Sequence, residues 1–170
     1  MGCTRCGACC TSFGVCITPV DIRRISSATG LPPSEFVDTV QDYPGRERTE
    51  PALPINGEMR ILVLKRSQSN VCAFYSPEGC RIYPHRPILC RTYPFKKGMQ
   101  NMLSRACPSR WVPKGKEKEQ YEKDLLLYEK ELKSFRKFAE RWNSKGGGTL
   151  KELLDSILSG PQQAAGQPPL

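Results

Sequence analysis

The sequence predicts a small, irregular α+β domain stabilised by metal, with short helices, a β-hairpin and a C-terminal helical extension. Three observations carry this. All nine cysteines of the 170-residue chain fall before residue 108. Fifteen prolines and fourteen glycines break up regular structure. From residue 117 the pattern changes abruptly to one long amphipathic helix. A loop-rich chain of this size buries too little apolar surface to dispense with a staple, which is either metal or disulfide.

The elements follow in order. Thr18-Pro19-Val20-Asp21 has an N-cap residue, a proline suited to the first helical position and an acid for the first turn. It opens a helix over 19–29 that stops at Gly30. A second short helix is predicted over 33–41, with Phe36, Val37 and Val40 inward. Residues 43–58 read as a surface loop. Residues 59–65 and 71–75 read as two strands of a hairpin around a turn at 67–70. Pro84, Pro87 and Pro94 restrict the segment from Cys80 to Cys107 to short turns.

Tyr121, Leu125, Tyr128, Leu132, Phe135, Ala139 and Trp142 recur at alternating four- and three-residue spacing, one helical stripe expected to pack on the cysteine domain. Gly146 to Gly148 reads as a hinge. Thr149-Leu-Lys-Glu152 is a capping box opening a last helix, and the tail 161–170 is expected to be disordered. The organisation is therefore a metal-binding domain over 1–112, a long helix over 113–145, a hinge and short helix over 146–160, and the tail.

Context decides between disulfide and metal. No apolar signal region follows Met1 and no run approaches the ~18 apolar residues of a membrane span. The chain is expected in the cytoplasm, away from membranes, where dense cysteines read as metal-binding or catalytic. An odd cysteine count also suits a disulfide framework poorly. The net charge of +9 raises nucleic acid. Within 1–112, however, 15 Lys and Arg stand against 8 Asp and Glu, and anionic metal–thiolate centres would absorb that excess. Charge alone therefore does not argue for nucleic acid.

Cys3-x-x-Cys6-x-x-Cys9-Cys10 is the strongest local signal. Two-residue spacing turns consecutive sulfurs onto one centre in both zinc and iron–sulfur sites. Adjacent Cys9 and Cys10 are expected to diverge, which favours a polynuclear cluster or two neighbouring centres. Cys72, Cys80, Cys90 and Cys107 complete eight thiolates, enough for two four-ligand centres. Cys16, between Val15 and Ile17, is expected to be a buried free thiol. His85, the only histidine, is read first as a turn-positioning residue and second as a ligand. Arg86 and Arg91 flank Cys90 and are candidates, with His85, to support the centre from just outside the ligand set, by hydrogen bonds to carbonyls or thiolates.

Three blocks resemble a known family: Cys3-Thr-Arg-Cys6-Gly7-Ala-Cys9-Cys10; Thr18-Pro19-x-Asp21-Ile22-x-Arg24-Ile25; and Cys80-x-Ile82-Tyr83-x-His85-Arg86-Pro87-x-x-Cys90-Arg91-x-Tyr93-Pro94-Phe95, followed by Cys107. The chain over about 1–110 is similar to the prokaryotic YkgJ-type CxxCxxCC cysteine-cluster proteins, described as zinc- or iron-chelating domains. The resemblance implies Cys3, Cys6, Cys9, Cys10, Cys72, Cys80, Cys90 and Cys107 as ligands and excludes Cys16. The same cluster occurs in the longer flagellin lysine N-methylases. This sequence has no GxGxxG-like loop for S-adenosylmethionine, so that activity is not carried over.

The expected function is an iron–sulfur protein, with 4Fe–4S as the expected cluster, serving electron transfer or delivery of cluster or metal to a protein partner. A basic shell at Lys96, Lys97 and Arg105, and the apolar face of the last helix, would meet that partner. The alternatives are a structural zinc module and a small cluster-dependent enzyme that modifies a protein side chain.

Overall fold

The structure is a computed structural model that describes residues 5–12, 14–43, 45, 49–95, 107 and 113–160. Lys96, Lys97, Arg105, Cys3 and the tail 161–170, on which several expectations rest, lie outside the described residues.

Helix α1 (Ala8–Ser12) is a short turn carrying Cys9 and Cys10. Helix α2 (Pro19–Thr29) has the bounds the sequence predicts. The Thr18 side chain accepts from the Asp21 amide, the Asp21 side chain accepts from the Thr18 amide, and Gly30 closes the helix in the left-handed region.

The second predicted helix is not there. Pro33–Glu35 is one 3-10 turn, and Val37–Gln41 is strand β1. Three of that strand's five residues are β-branched, and pairing with a neighbour decides their state. Phe36 and Val37 are buried as expected, but Val40 is 43% exposed.

The predicted hairpin is also redrawn. Strand β2 (Leu53–Ile55) and strand β3 (Glu58–Leu64) form it, across a two-residue turn in which Asn56 and Gly57 have φ of 51° and 81°. That is the positive-φ geometry an Asn-Gly turn supplies. Strand β3 is central, with β1 antiparallel along its whole length on one side. On its other side β2 pairs with the first half, and the segment around Cys16 continues the edge through Ile17 N–H to Leu62 O and Leu64 N–H to Val15 O. Of the predicted 71–75 strand, residues 71–73 pair back on 65–67, through an antiparallel bridge between Cys72 and Arg66 flanked by Ser67 N–H to Val71 O and Ala73 N–H to Lys65 O. Beyond it, β4 (Tyr75–Ser76) and β5 (Gly79–Cys80) form a minimal hairpin that presents Cys80.

After a 3-10 turn at Tyr83–His85 comes helix α3 (Ile88–Thr92), which carries Cys90. Helix α4 (Gly115–Ser144) buries Tyr121, Leu132, Phe135 and Ala139 of the predicted stripe. It packs on α3 and β2, so the stripe belongs to the core of the cysteine domain. Helix α5 (Leu150–Ser159) opens with the expected capping box. Its apolar face lies against α2, with Leu153, Leu154 and Ile157 buried. The glycine segment before it is a tethered turn and not a free hinge: Gly148 donates to Pro54 O and accepts from the Asn56 amide.

Candidate metal centre

Helix α1 begins with a tight turn. Gly7 has φ +74°, and a Cβ there would lie 2.4 Å from the Tyr75 ring. Only glycine gives both the backbone angle and the room. The Cys10 and Thr11 amides then bond back to Gly7 O. The next junction is a hydrogen bond from the Cys72 amide to Cys10 O at 2.9 Å, which holds the first cysteine block against the second.

The adjacent pair does not diverge. Cys9 Sγ and Cys10 Sγ lie 3.9 Å apart. Cys9 is pulled down to about 6, chiefly by the hydrogen bond from the Cys10 thiol, against the opposing effect of burial and with help from the Arg86 charge. Cys10 is pushed up by that same bond, by burial, and by the nearby charges of Cys9, Cys72 and Cys90. Burial raises Cys72 and Cys80, and each also senses Cys9. Cys90 is raised well above the ordinary thiol range by burial and then by Cys9, Cys72, Asp21 and Cys80. Five thiols from four segments thus influence one another electrostatically: Cys9, Cys10, Cys72, Cys80 and Cys90.

These thiols approach without closing a ligand shell: among the described residues no three His, Cys, Asp or Glu side chains are gathered tightly enough to hold one ion. The donor set nonetheless fits a thiophilic metal. It is all sulfur, partly to fully buried, and costly to ionise without a cation, which a metal supplies. Cys6 is exposed beside the group, and Cys107 is half-buried. Cys16 is half-buried on the sheet, where its charge reaches Tyr128 on α4.

The three residues expected around the centre separate. Arg86 stays near it: its charge lowers Cys9 and Cys80, and its Cζ lies 3.9 Å from the centroid of the Tyr83 ring. Arg91 does not serve the sulfurs, because Nε donates to Asp124 Oδ2 at 3.3 Å and Nη2 to Oδ1, clamping α3 to α4. His85 is half-buried at the end of its 3-10 turn, with its amide on Ile82 O.

Sequence reasoning missed two supports. Tyr75 sets the size of residue 7. Asp21, read as a helix-capping acid only, also accepts the Ile88 amide at 2.9 Å and so fixes the start of α3. No local pattern announces a contact 67 residues away.

Among the described residues no helix is long and apolar enough to cross a membrane. Comparison with curated proteins and with solved structures found no match. A family profile does match, over residues 2–108: CxxCxxCC, described as a "putative zinc- or iron-chelating domain". That span holds every cysteine of the gathered group, and the chain belongs to the CxxCxxCC family of metal-chelating cysteine-cluster proteins.

Proposed function

We propose that this chain binds an iron–sulfur cluster through its cysteine thiolates, in a reduced cytoplasmic setting, and serves electron transfer or delivery of cluster or metal to a protein partner. The observation that carries the reading is the junction of two cysteine blocks, with Cys9 Sγ 3.9 Å from Cys10 Sγ and the Cys72 amide bonded to Cys10 O. A single tetrahedral ion takes four ligands, so the eight candidate thiolates exceed one ion, and all-sulfur ligation is the common arrangement for clusters. Cys3, Cys6 and Cys107 would join Cys9, Cys10, Cys72, Cys80 and Cys90 to complete the set. When bound, the cluster supplies reversible one-electron chemistry. The chain's own residues hold the thiolates, shield them by burial and offset their charge.

One observation favours zinc. With Zn–S bonds of about 2.3 Å, two ligands of a tetrahedral ion stand about 3.8 Å apart. The 3.9 Å between Cys9 Sγ and Cys10 Sγ is close to that edge. Anaerobic purification with iron, sulfide and zinc quantified separates the two. Iron and sulfide in equal amounts with a brown colour support the cluster; colourless protein with stoichiometric zinc overturns it in favour of zinc. Replacing each cysteine by serine then reads the ligand set. Retention of metal in both Cys9→Ser and Cys10→Ser, with loss in Cys16→Ser, would reverse the assignment.

A further inference from the structure

The guanidinium of Arg86 has a buried donor with nothing to give its proton to. Its Nε is shielded from solvent and has no hydrogen-bond partner among the described residues. A buried N–H left without an acceptor is costly, more so on a charged group, so an absent acceptor is the economical explanation. Pro87 restricts the Arg86 backbone to an extended conformation, and an aromatic ring holds the guanidinium. Its Cζ lies 3.9 Å from the Tyr83 centroid, and Arg5 stacks on the same ring at the same distance. Tyr83 thus seats two cations at the edge of the thiol group. The shared ring brings the two cysteine blocks together at Arg86: Arg5 adjoins Cys6 in the first block, and Arg86 lies between Cys80 and Cys90 in the last.

We infer that Arg86 is the positioning residue of the metal centre, donating its Nε–H to a metal-bound cysteine sulfur with the Tyr83 ring as its seat. This rests on the metal-binding reading above. The chemistry is that of a charge-assisted hydrogen bond to an anion: a thiolate bound to a metal keeps lone pairs, and a donor on it offsets charge that burial would otherwise leave uncompensated. Arg91, five residues on, has the same side chain but gives its donors to Asp124. Lys151, an exposed cation on α5, serves as the control for loss of charge alone.

The full chain is loaded with zinc, a diamagnetic probe, and with iron and sulfide anaerobically. Wild type, Arg86→Gln, Arg86→Lys and Lys151→Gln are titrated against a competing chelator. Arg86→Gln is expected to weaken retention by about 10–100-fold. Arg86→Lys, which keeps the charge but lacks the Nε–H, is expected to recover only part of this. Lys151→Gln, which removes an exposed cation on α5, is expected to stay within about twofold of wild type. In the cluster-loaded protein, Arg86→Gln is also expected to shift the visible absorption and lower the reduction potential. Equal retention in wild type and Arg86→Gln, or equal losses in Arg86→Gln and Lys151→Gln, would overturn the assignment. Should the variants fail to fold, wild type alone decides. The Arg86 Nε–H resonance must exchange with water more slowly once zinc is added; an unchanged rate rejects the hydrogen bond. A wild-type chain that takes up neither metal nor cluster overturns the metal reading itself, whereas a loaded wild type with an indifferent Arg86 overturns only this inference.

Discussion

Asp21 Oδ1 accepts the Ile88 amide at 2.9 Å while Oδ2 accepts the Thr18 amide at 2.9 Å, so one buried carboxylate both caps α2 and starts the helix that carries Cys90. Arg24 pairs with the same carboxylate and with Glu131 on α4, so three segments meet on one ion network. Asp21→Ala leaves Arg24 with less than its full complement and two amides without an acceptor. The expected cost is about 3–5 kcal/mol, read from urea unfolding of the loaded protein. Asp21→Asn keeps the shape and can still accept, and should cost less. Indistinguishable unfolding curves for Asp21→Ala and wild type would show that the network does not hold Cys90 in place.

Glu131 gives the fold a pH dependence. Burial, and then the Asp21 charge, raise it to about 7 from an ordinary 4.5, against the opposing effects of Arg24 and Thr18. Between those two values the folded chain holds a proton that the unfolded chain releases. This contribution to stability is therefore present at low pH, falls as pH rises from about 4.5 to 7, and is flat above. Glu131→Gln cannot ionise and should flatten that slope, leaving the variant relatively more stable at pH 8 than at pH 5 by up to about 3 kcal/mol. Parallel stability profiles for the two proteins would contradict this.

Gly7→Ala should fail for two separable reasons. The φ of +74° costs an L-residue about 1–2 kcal/mol, and the new methyl overlaps the Tyr75 ring. Trimming the ring in Gly7→Ala/Tyr75→Ala removes the overlap and leaves the torsional cost. Metal content and thermal midpoint are therefore expected to recover in part in the double variant. No recovery at all would mean the torsion, and not the ring, sets residue 7.

The legible parts of the chain were those whose cause is local. Helix α2 was readable because Thr18, Pro19, Asp21 and Gly30 each act within one turn of the helix they bound. The capping box of α5 was readable for the same reason. Strand β1 was not, because Phe36, Val37 and Val40 suit a helical face as well as a strand, and only pairing with residues 60–64 decides. The β2–β3 turn also has a local cause, Asn56–Gly57 between apolar Leu53, Ile55 and Ile61, set in a stretch whose proline, glycine and charge read as loop. At the centre, spacing marked the thiols. The division of labour between Arg86 and Arg91 depends on Asp124, a residue on another helix.

Metal removal is expected to loosen part of the domain. A metal-stapled domain that lacks long regular elements over 1–112 would be expected to collapse as a whole. The core, however, joins Ile22, Ile25, Phe36, Leu62, Phe135 and Leu153, from α2, the sheet, α4 and α5. These contacts need no sulfur. Chelation should therefore raise hydrogen exchange in residues 6–12 and 72–92, leaving β3, α2 and α4 protected. Loss of protection in β3 together with α1 would mean that the thiolate centre carries the fold.

The last helix offers the sharpest test of whether its apolar face is core or docking surface. Leu153, Leu154 and Ile157 are buried, and Arg23 Nη1 donates to Ile157 O at 3.0 Å. Burying each such side chain is worth roughly 1.5–3 kcal/mol, so α5 contributes a sum comparable with the whole stability of a small domain, about 5–15 kcal/mol. A chain ending at Ser144 would also uncover the part of α2 that α5 packs on. Such a chain is expected to aggregate or to lose its cooperative thermal transition. Leu158, 44% exposed on the outer side of the same helix, provides the contrast. Leu158→Asp should leave stability within about 0.5 kcal/mol of wild type. If the chain ending at Ser144 melts as wild type does, the helix is dispensable to the core, and its leucines are then available to a partner. If instead truncation unfolds the protein and Leu158→Asp does not, α5 is structural, and any protein that receives electrons or metal from this chain must meet it on the cysteine side.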